Sequence, residues 1–380
     1  MTTSSNPQRV AVGALRFFPP SLPADPALQE QVQGLWDTEN SFIILSGPPG
    51  VGKTRAAEDF IQHALQAHNA PHSVAACRVS NIFADFRTTV ISDRDLETTL
   101  LAQGIRFVWD ICVLHPQYSY EDLVRGYRMS TTSTDMPKLE VREGLLGFIA
   151  RVTAVLDRML PKTNVPRSVL ILDEINRAPI GQLFGEALYA LDRRGHAATT
   201  PYDLAGIGSS LVIPPSVLLL GTMNSVDRAV AGFDFALRRR FAIVNVVPHK
   251  EAIQRRYNSR ELADAGVIAT TLFEAIESSI LTATQSGMVP LSELVLGHSY
   301  FIAPASILTK DEAVKWVAQA CKFKIIPTLL DYLEQGLIVF KDDNLSRLVG
   351  GKVLKNAEPL GAFQNRDLIA ELQALGPSSG

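Results

Sequence analysis

Along the chain, short apolar runs closed by turn-forming residues alternate with stretches in which apolar positions recur every three or four residues. Phe42-Ile43-Ile44-Leu45 is an unbroken apolar run, the pattern of a strand buried on both faces of a parallel sheet. A glycine-rich segment follows it. Over 53–68, Ala56, Ala57, Phe60, Ile61, Ala64 and Leu65 then recur at helical spacing. Strand, loop and helix in that order open a doubly wound sheet. Further strand-like runs at 105–114, 168–173, 217–224 and 241–247, with helical patterns at 145–160 and 180–193, predict an α/β core of five buried strands. A short helix is expected over 26–36. Residues 127–143 carry Ser, Thr, Asp, Pro and Lys with little periodic apolar pattern, and predict an exposed loop or a hairpin insertion.

After Pro248 the strand pattern fades and helical periodicity takes over at 263–284, 311–323 and 326–337. The expected organisation is an irregular lead-in over 1–24, an α/β domain over 25–248, a mainly helical lid domain over 249–375 and a flexible tail over 376–380. A chain of 380 residues has the length for two such domains.

Composition narrows the class. With 46% hydrophobic and 20% charged residues the chain reads as an ordinary soluble globular protein. A formal net charge of -3 gives no global field for a polyanion, so any DNA contact would be local or delegated to a partner. Cys77, Cys112 and Cys321 are odd in number and far apart, which predicts reduced, structural thiols. The first twenty residues hold no basic region followed by an apolar run, and runs such as 217–220 are far too short to span a bilayer. A cytoplasmic protein without a membrane segment is expected.

The sharpest chemical pattern is Gly47-Pro48-Pro49-Gly50-Val51-Gly52-Lys53-Thr54, a phosphate-binding loop set between a predicted strand and a predicted helix. Its glycines let successive backbone N–H groups point inward around phosphates, Lys53 reaches the outer phosphates, and Thr54 can ligate Mg²⁺. Val169-Leu170-Ile171-Leu172-Asp173-Glu174 is an apolar strand ending in two carboxylates. Asp173 would orient the Mg²⁺ shell and Glu174 would polarise the attacking water. The run 218–224 is a third buried strand, ending in Asn224, whose amide would hold that water opposite the γ-phosphate. Arg238, Arg239 and Arg240 open the last strand. A cation supplied by a neighbouring subunit would neutralise charge on the γ-phosphate, which makes Arg239 and Arg240 the finger candidates and leaves Arg238 to structural ion pairs. His115 and His298 have no second ligand at metal-binding spacing, so roles in structure or in the nucleotide pocket are expected for them. Tyr118, Tyr120 and Tyr127 read as packing residues.

Four segments together resemble the McrB family of AAA+ GTPases. They are Leu172-Asp173-Glu174-Ile175-Asn176-Arg177-Ala178, Phe184-Gly185-Glu186, Gly221-Thr222-Met223-Asn224-Ser225-Val226-Asp227-Arg228, and Asp234-Phe235-Ala236-Leu237-Arg238-Arg239-Arg240-Phe241. The segments 115–122 and Gly297-His298-Ser299-Tyr300-Phe301 also match that family, and the resemblance covers about residues 40–335. It implies an AAA+ P-loop NTPase with a central parallel sheet and a C-terminal helical lid, and it places Asp227 and His298 with the nucleotide. It further implies GTP in place of ATP, through the M-N-x-x-D-R element at 223–228, where Ser225-Val226 replaces the family's usual Thr-Ala. A homo-oligomeric, hexameric ring and a McrC-like nuclease and activator partner are implied as well, with DNA engaged through the partner or the ring pore. About 40 residues precede the loop, too few for the DNA-reading domain common in the family, so a motor-only form is expected. The alternative reading is a MoxR-like ATP-dependent remodelling ATPase.

Overall fold

The computed structural model describes residues 26–69, 72–130, 138–226, 239–285 and 289–339. Helix α1 (Pro26–Asp37) leads into strand β1 (Phe42–Gly47), every residue of which is buried, and helix α2 (Lys53–Ala67) follows the glycine-rich loop. The later strands are β2 (Val108–Val113), β3 (Arg125–Ser130), β4 (Lys138–Glu143), β5 (Ser168–Asp173), β6 (Ala197–Leu204), β7 (Gly208–Val212), β8 (Val217–Asn224) and β9 (Ala242–Asn245). Five of them form one sheet in the order β2-β5-β8-β1-β9, and every neighbouring pair is parallel.

Parallel neighbours need crossovers, and helices on the two faces supply cover for the sheet. Helix α2 packs on β1, β5 and β8, while the helix Leu145–Met159 packs on β2 and β5. Because the central strands are covered on both sides, their sequences are apolar without alternation: Val217, Leu218, Leu219 and Leu220 are all fully buried. All five strands point the same way, so the residues that end β1, β5 and β8 share one rim of the sheet. In open α/β sheets that rim is where ligands bind.

Two antiparallel hairpins stand off the sheet, β3–β4 and β6–β7. They are tied together by Arg125, which is buried and donates from Nη1 to Gly208 O at 2.9 Å and from Nη2 to Ser210 O at 3.4 Å. Desolvation draws the Arg125 pKa down, partly offset by Glu143.

A second apolar core begins at Ala252, just after the first one closes at Val246. It is built from the helices Lys250–Arg256, Ala263–Thr282, Lys310–Ala320 and Ile326–Glu334, with a two-residue antiparallel ladder between 284–285 and 338–339. Among the described residues, Ala263–Thr282 is the one helix long and apolar enough to cross a membrane, and half of its apolar window is buried in this core. Leu272, Phe273, Ile276 and Ile280 carry that burial. Cys77, Cys112 and Cys321 are buried, and burial pushes the Cys77 thiol up to about 11 and the Cys112 thiol up to about 12.

Several elements differ from the sequence expectation. The helix expected over 180–193 is two helices, Ile180–Phe184 and Ala187–Asp192, because Gly185 takes φ 47° and turns the chain. The strand expected over 105–114 is shorter, since Ile105 closes the left-handed Gly104 turn with its N–H on Leu100 O. The helix expected over 311–323 stops at Ala320 and passes through one π turn, Cys321–Ile325. The hairpin β6–β7 and the helix Asp93–Gln103 form where no element was expected.

Candidate functional site

The loop after β1 is shaped by two left-handed glycines, Gly50 at φ 81° and Gly52 at φ 80°. A side chain at either would be strained by its own backbone, and only with these dihedrals can the loop curl its N–H groups toward one centre. Gly52 also starts α2, whose first N–H groups have no side-chain cap and face the loop. Lys53 is buried and reaches back across the loop, donating from Nζ to Gly47 O at 2.9 Å, to Pro48 O at 2.9 Å and to Asn224 Oδ1 at 2.7 Å.

Strand register explains that last contact. Gly47 lies beside Asn224 in the β1–β8 ladder, and Leu172 lies beside Gly221 in the β5–β8 ladder, so the two acidic residues of β5 end next to Thr222 and Asn224. Thr54 Oγ1 donates to Asp173 Oδ1 at 2.9 Å, and Thr222 Oγ1 donates to the same oxygen at 2.5 Å. Glu174 leaves the strand in the left-handed region, φ 56° and ψ 46°. Its N–H donates to Thr222 Oγ1 at 3.2 Å, and its carboxylate accepts both contacts from Asn224 Nδ2, at 2.8 and 3.0 Å. Arg177 Nε stands 3.4 Å from the same carboxylate. Lys53, Asn224, Glu174 and Arg177 therefore form one connected chain of polar contacts at the mouth of the loop.

The second core reaches this mouth through the turn His298–Phe301. Gly297 N donates to Pro49 O at 3.1 Å, and Ser299 N donates to Gly50 O at 3.0 Å. Backbone meets backbone so closely that a β-carbon on Gly297 would stand 2.0 Å from the carbonyl carbon of Gly50. His298 stacks on His249 at 5.3 Å between ring centroids. Between loop and turn runs a cleft lined by Leu28 of α1, by Val51, Gly52, Arg55, Ala56 and Asp59, and by His249, Arg255, His298 and Ile302. Burial raises the pKa of Asp59, against the lowering effect of Arg55, and burial likewise raises that of Glu58, to which Asp173 adds in the same direction.

Arg239 and Arg240 are not brought to this mouth. In the β1–β9 ladder Ala242 lies beside Ile43, so both arginines stand at the opposite end of the strands from Gly47. Arg240 grips Asp192, with Nε and Nη2 each 2.7 Å from a carboxylate oxygen, whereas Arg239 is exposed. Asp227 and Arg238 lie outside the described residues, as does the whole 227–238 segment that carries the rest of the family motif.

Residues 97–241 match the family described as an AAA domain of the dynein-related subfamily. Over 295 residues, 76% of its length, the chain is 24% identical to the type IV methyl-directed restriction enzyme EcoKMcrB subunit of Escherichia coli K12. The chain thus carries an AAA domain and resembles the McrB subunit over three quarters of its length. It spans about half of that curated relative, 53% of its length. A solved structure from Cytophaga hutchinsonii is matched over 68% of this chain and 63% of its own, at 13% identity and a TM-score of 0.32.

Three contributors to the AAA+ site were not singled out from sequence as parts of it. Thr222, which bridges the two acidic residues, sits inside an apolar run and carries no spacing signal of its own. Arg177 stands three residues after Glu174, a spacing that could have flagged it. Gly297 meets the loop only because a segment about 245 residues further along the chain folds back onto it.

Proposed function

We propose that this chain hydrolyses a nucleoside triphosphate, GTP in preference to ATP, at the boundary between subunits of a homo-oligomeric, hexameric ring. In this reading it is the motor of a modification-dependent restriction system, working with a McrC-like nuclease and moving or remodelling DNA without cutting it. The observation that carries the hydrolase reading is the convergence of Lys53, Thr54, Asp173, Glu174 and Asn224 on one rim of the sheet. The hydroxyl of Thr54 and the carboxylate of Asp173, 2.9 Å apart, form the hard oxygen pair that suits Mg²⁺, an ion that keeps most of its shell for water and phosphate. Bound there, Mg²⁺ would draw charge from the β- and γ-phosphate oxygens.

The chain's own groups account for the rest. Phosphate oxygens would replace Gly47 O, Pro48 O and Asn224 Oδ1 as the acceptors of the Lys53 ammonium. Glu174, released from part of its hold on Asn224, would take the proton of a water that attacks the γ-phosphorus as the bond to the β,γ-bridging oxygen breaks. Products are the nucleoside diphosphate and inorganic phosphate. Asn224 would keep that water in line. An exposed arginine, Arg239, would enter the next subunit's site, since it cannot reach its own.

Competition binding tests the base preference: ATP should displace labelled GTP only at concentrations well above those of unlabelled GTP. Displacement by ATP at equal or lower concentration would overturn it and favour the MoxR-like reading.

A further inference from the structure

The cleft beside the loop holds a carboxylate for which the phosphate chemistry has no use. Asp59 stands on α2, six residues beyond Lys53, and lines the same cleft as Val51, Gly52 and His298. Its side chain is only 9% exposed, and its described protein contact runs from Oδ1 to Arg55 Nε at 2.9 Å, one helical turn away. That contact fixes the carboxylate's direction. Around it the walls are mostly apolar, with Leu28 on one side, Ala56 on the helix and Ile302 on the lid, joined by Arg55, Arg255 and the rings of His249 and His298, a lining that suits a flat ring. A nucleotide whose phosphates lie in the loop must send its ribose and base away from them, and this cleft begins at the loop's own Val51 and Gly52.

Resting on the GTP reading above, we propose that Asp59 is the residue that reads the base, its carboxylate accepting the N1–H and the 2-amino group of guanine. The two donors of guanine's edge match an acceptor-only group with two oxygens. Adenine offers one donor, its 6-amino group, and sets the N1 lone pair against the carboxylate. A desolvated carboxylate left with an unmatched acceptor opposite it is costly, so sites built this way discriminate by more than shape does.

Binding of GTP, ITP, XTP and ATP to the whole chain tests the assignment. ITP lacks the 2-amino group and is expected to bind wild type about tenfold more weakly than GTP. Asp59→Asn presents an amide N–H where the carboxylate had an oxygen, which suits the C2 carbonyl of xanthine. The XTP-to-GTP affinity ratio is expected to rise by about a hundredfold, a gain that damage to the fold cannot produce. If wild type prefers GTP but binds ITP equally well and the variant leaves the ratio unchanged, the Asp59 assignment falls while the GTP reading stands. If wild type prefers ATP, both fall. Should Asp59→Asn fail to fold, the wild-type comparison of ITP with GTP decides by itself.

Discussion

Glu174 sits in a backbone region that residues with a β-carbon seldom enter, at a cost of about 1–2 kcal/mol. The turn closes β5 at Asp173 and aims the Glu174 carboxylate at Asn224. Glu174→Gln keeps the length and shape but cannot take a proton, so multiple-turnover hydrolysis should fall by about 100- to 10,000-fold while nucleotide still binds. A steady-state assay beside a binding titration checks this, and near-normal turnover would remove Glu174 from the role of base. The five residues gathered at this rim, Lys53, Thr54, Asp173, Glu174 and Asn224, had two kinds of signal in the sequence. Asp173, Glu174 and Asn224 lie at or just beyond the end of a buried apolar strand, whereas Lys53 and Thr54 close the glycine-rich pattern that follows β1. Asp59 lacked both. Its meaning depends on α1 and the lid closing a cleft around it, which no local pattern encodes.

Between elements, the narrowest contact is the turn of the second core on the phosphate loop. Gly297 has backbone on the far side of its missing β-carbon, so Gly297→Ala cannot be absorbed by a rotating side chain. The turn must lift, and the two hydrogen bonds to Pro49 O and Gly50 O weaken, costing about 2 kcal/mol together. Nucleotide affinity should drop about tenfold or more, with faster amide exchange at 297–301. Unchanged affinity and exchange would show that the loop does not depend on the turn. The same scale shows what periodicity can and cannot convey. The central strands β1, β5 and β8 were readable because burial on both faces leaves unbroken apolar runs in them, 42–45, 169–172 and 217–220. The hairpin β6–β7 was not, since its burial alternates over only a few residues and its closure rests on Arg125 from another hairpin. The paired helices around Gly185 read as one because their apolar positions stay in phase across the break.

For the whole molecule, the question is where the site is completed. A ring places the start of β9 of one copy against the loop of the next only if the copies repeat head to tail, and the separation of Arg239 from its own loop is what such sharing requires. Asp192 occupies the Arg240 guanidinium, which leaves Arg239 as the residue for this role. Arg239→Ala should leave the nucleotide affinity of an isolated subunit nearly unchanged and lower turnover of the assembly on the order of a thousandfold, because a finger stabilises charge chiefly in the transition state. Mixing gives the sharper test. A subunit with Arg239→Ala keeps Lys53 and Glu174, and a Glu174→Gln neighbour keeps the arginine, so two inactive proteins can share one working site. At equal amounts and random assembly roughly a quarter of the boundaries would join the two in the working order, so activity up to about a quarter of wild type should return. Mixed assemblies, verified by native mass measurement, that stay as inactive as the separate variants would place the arginine in its own subunit's structure and remove the shared site.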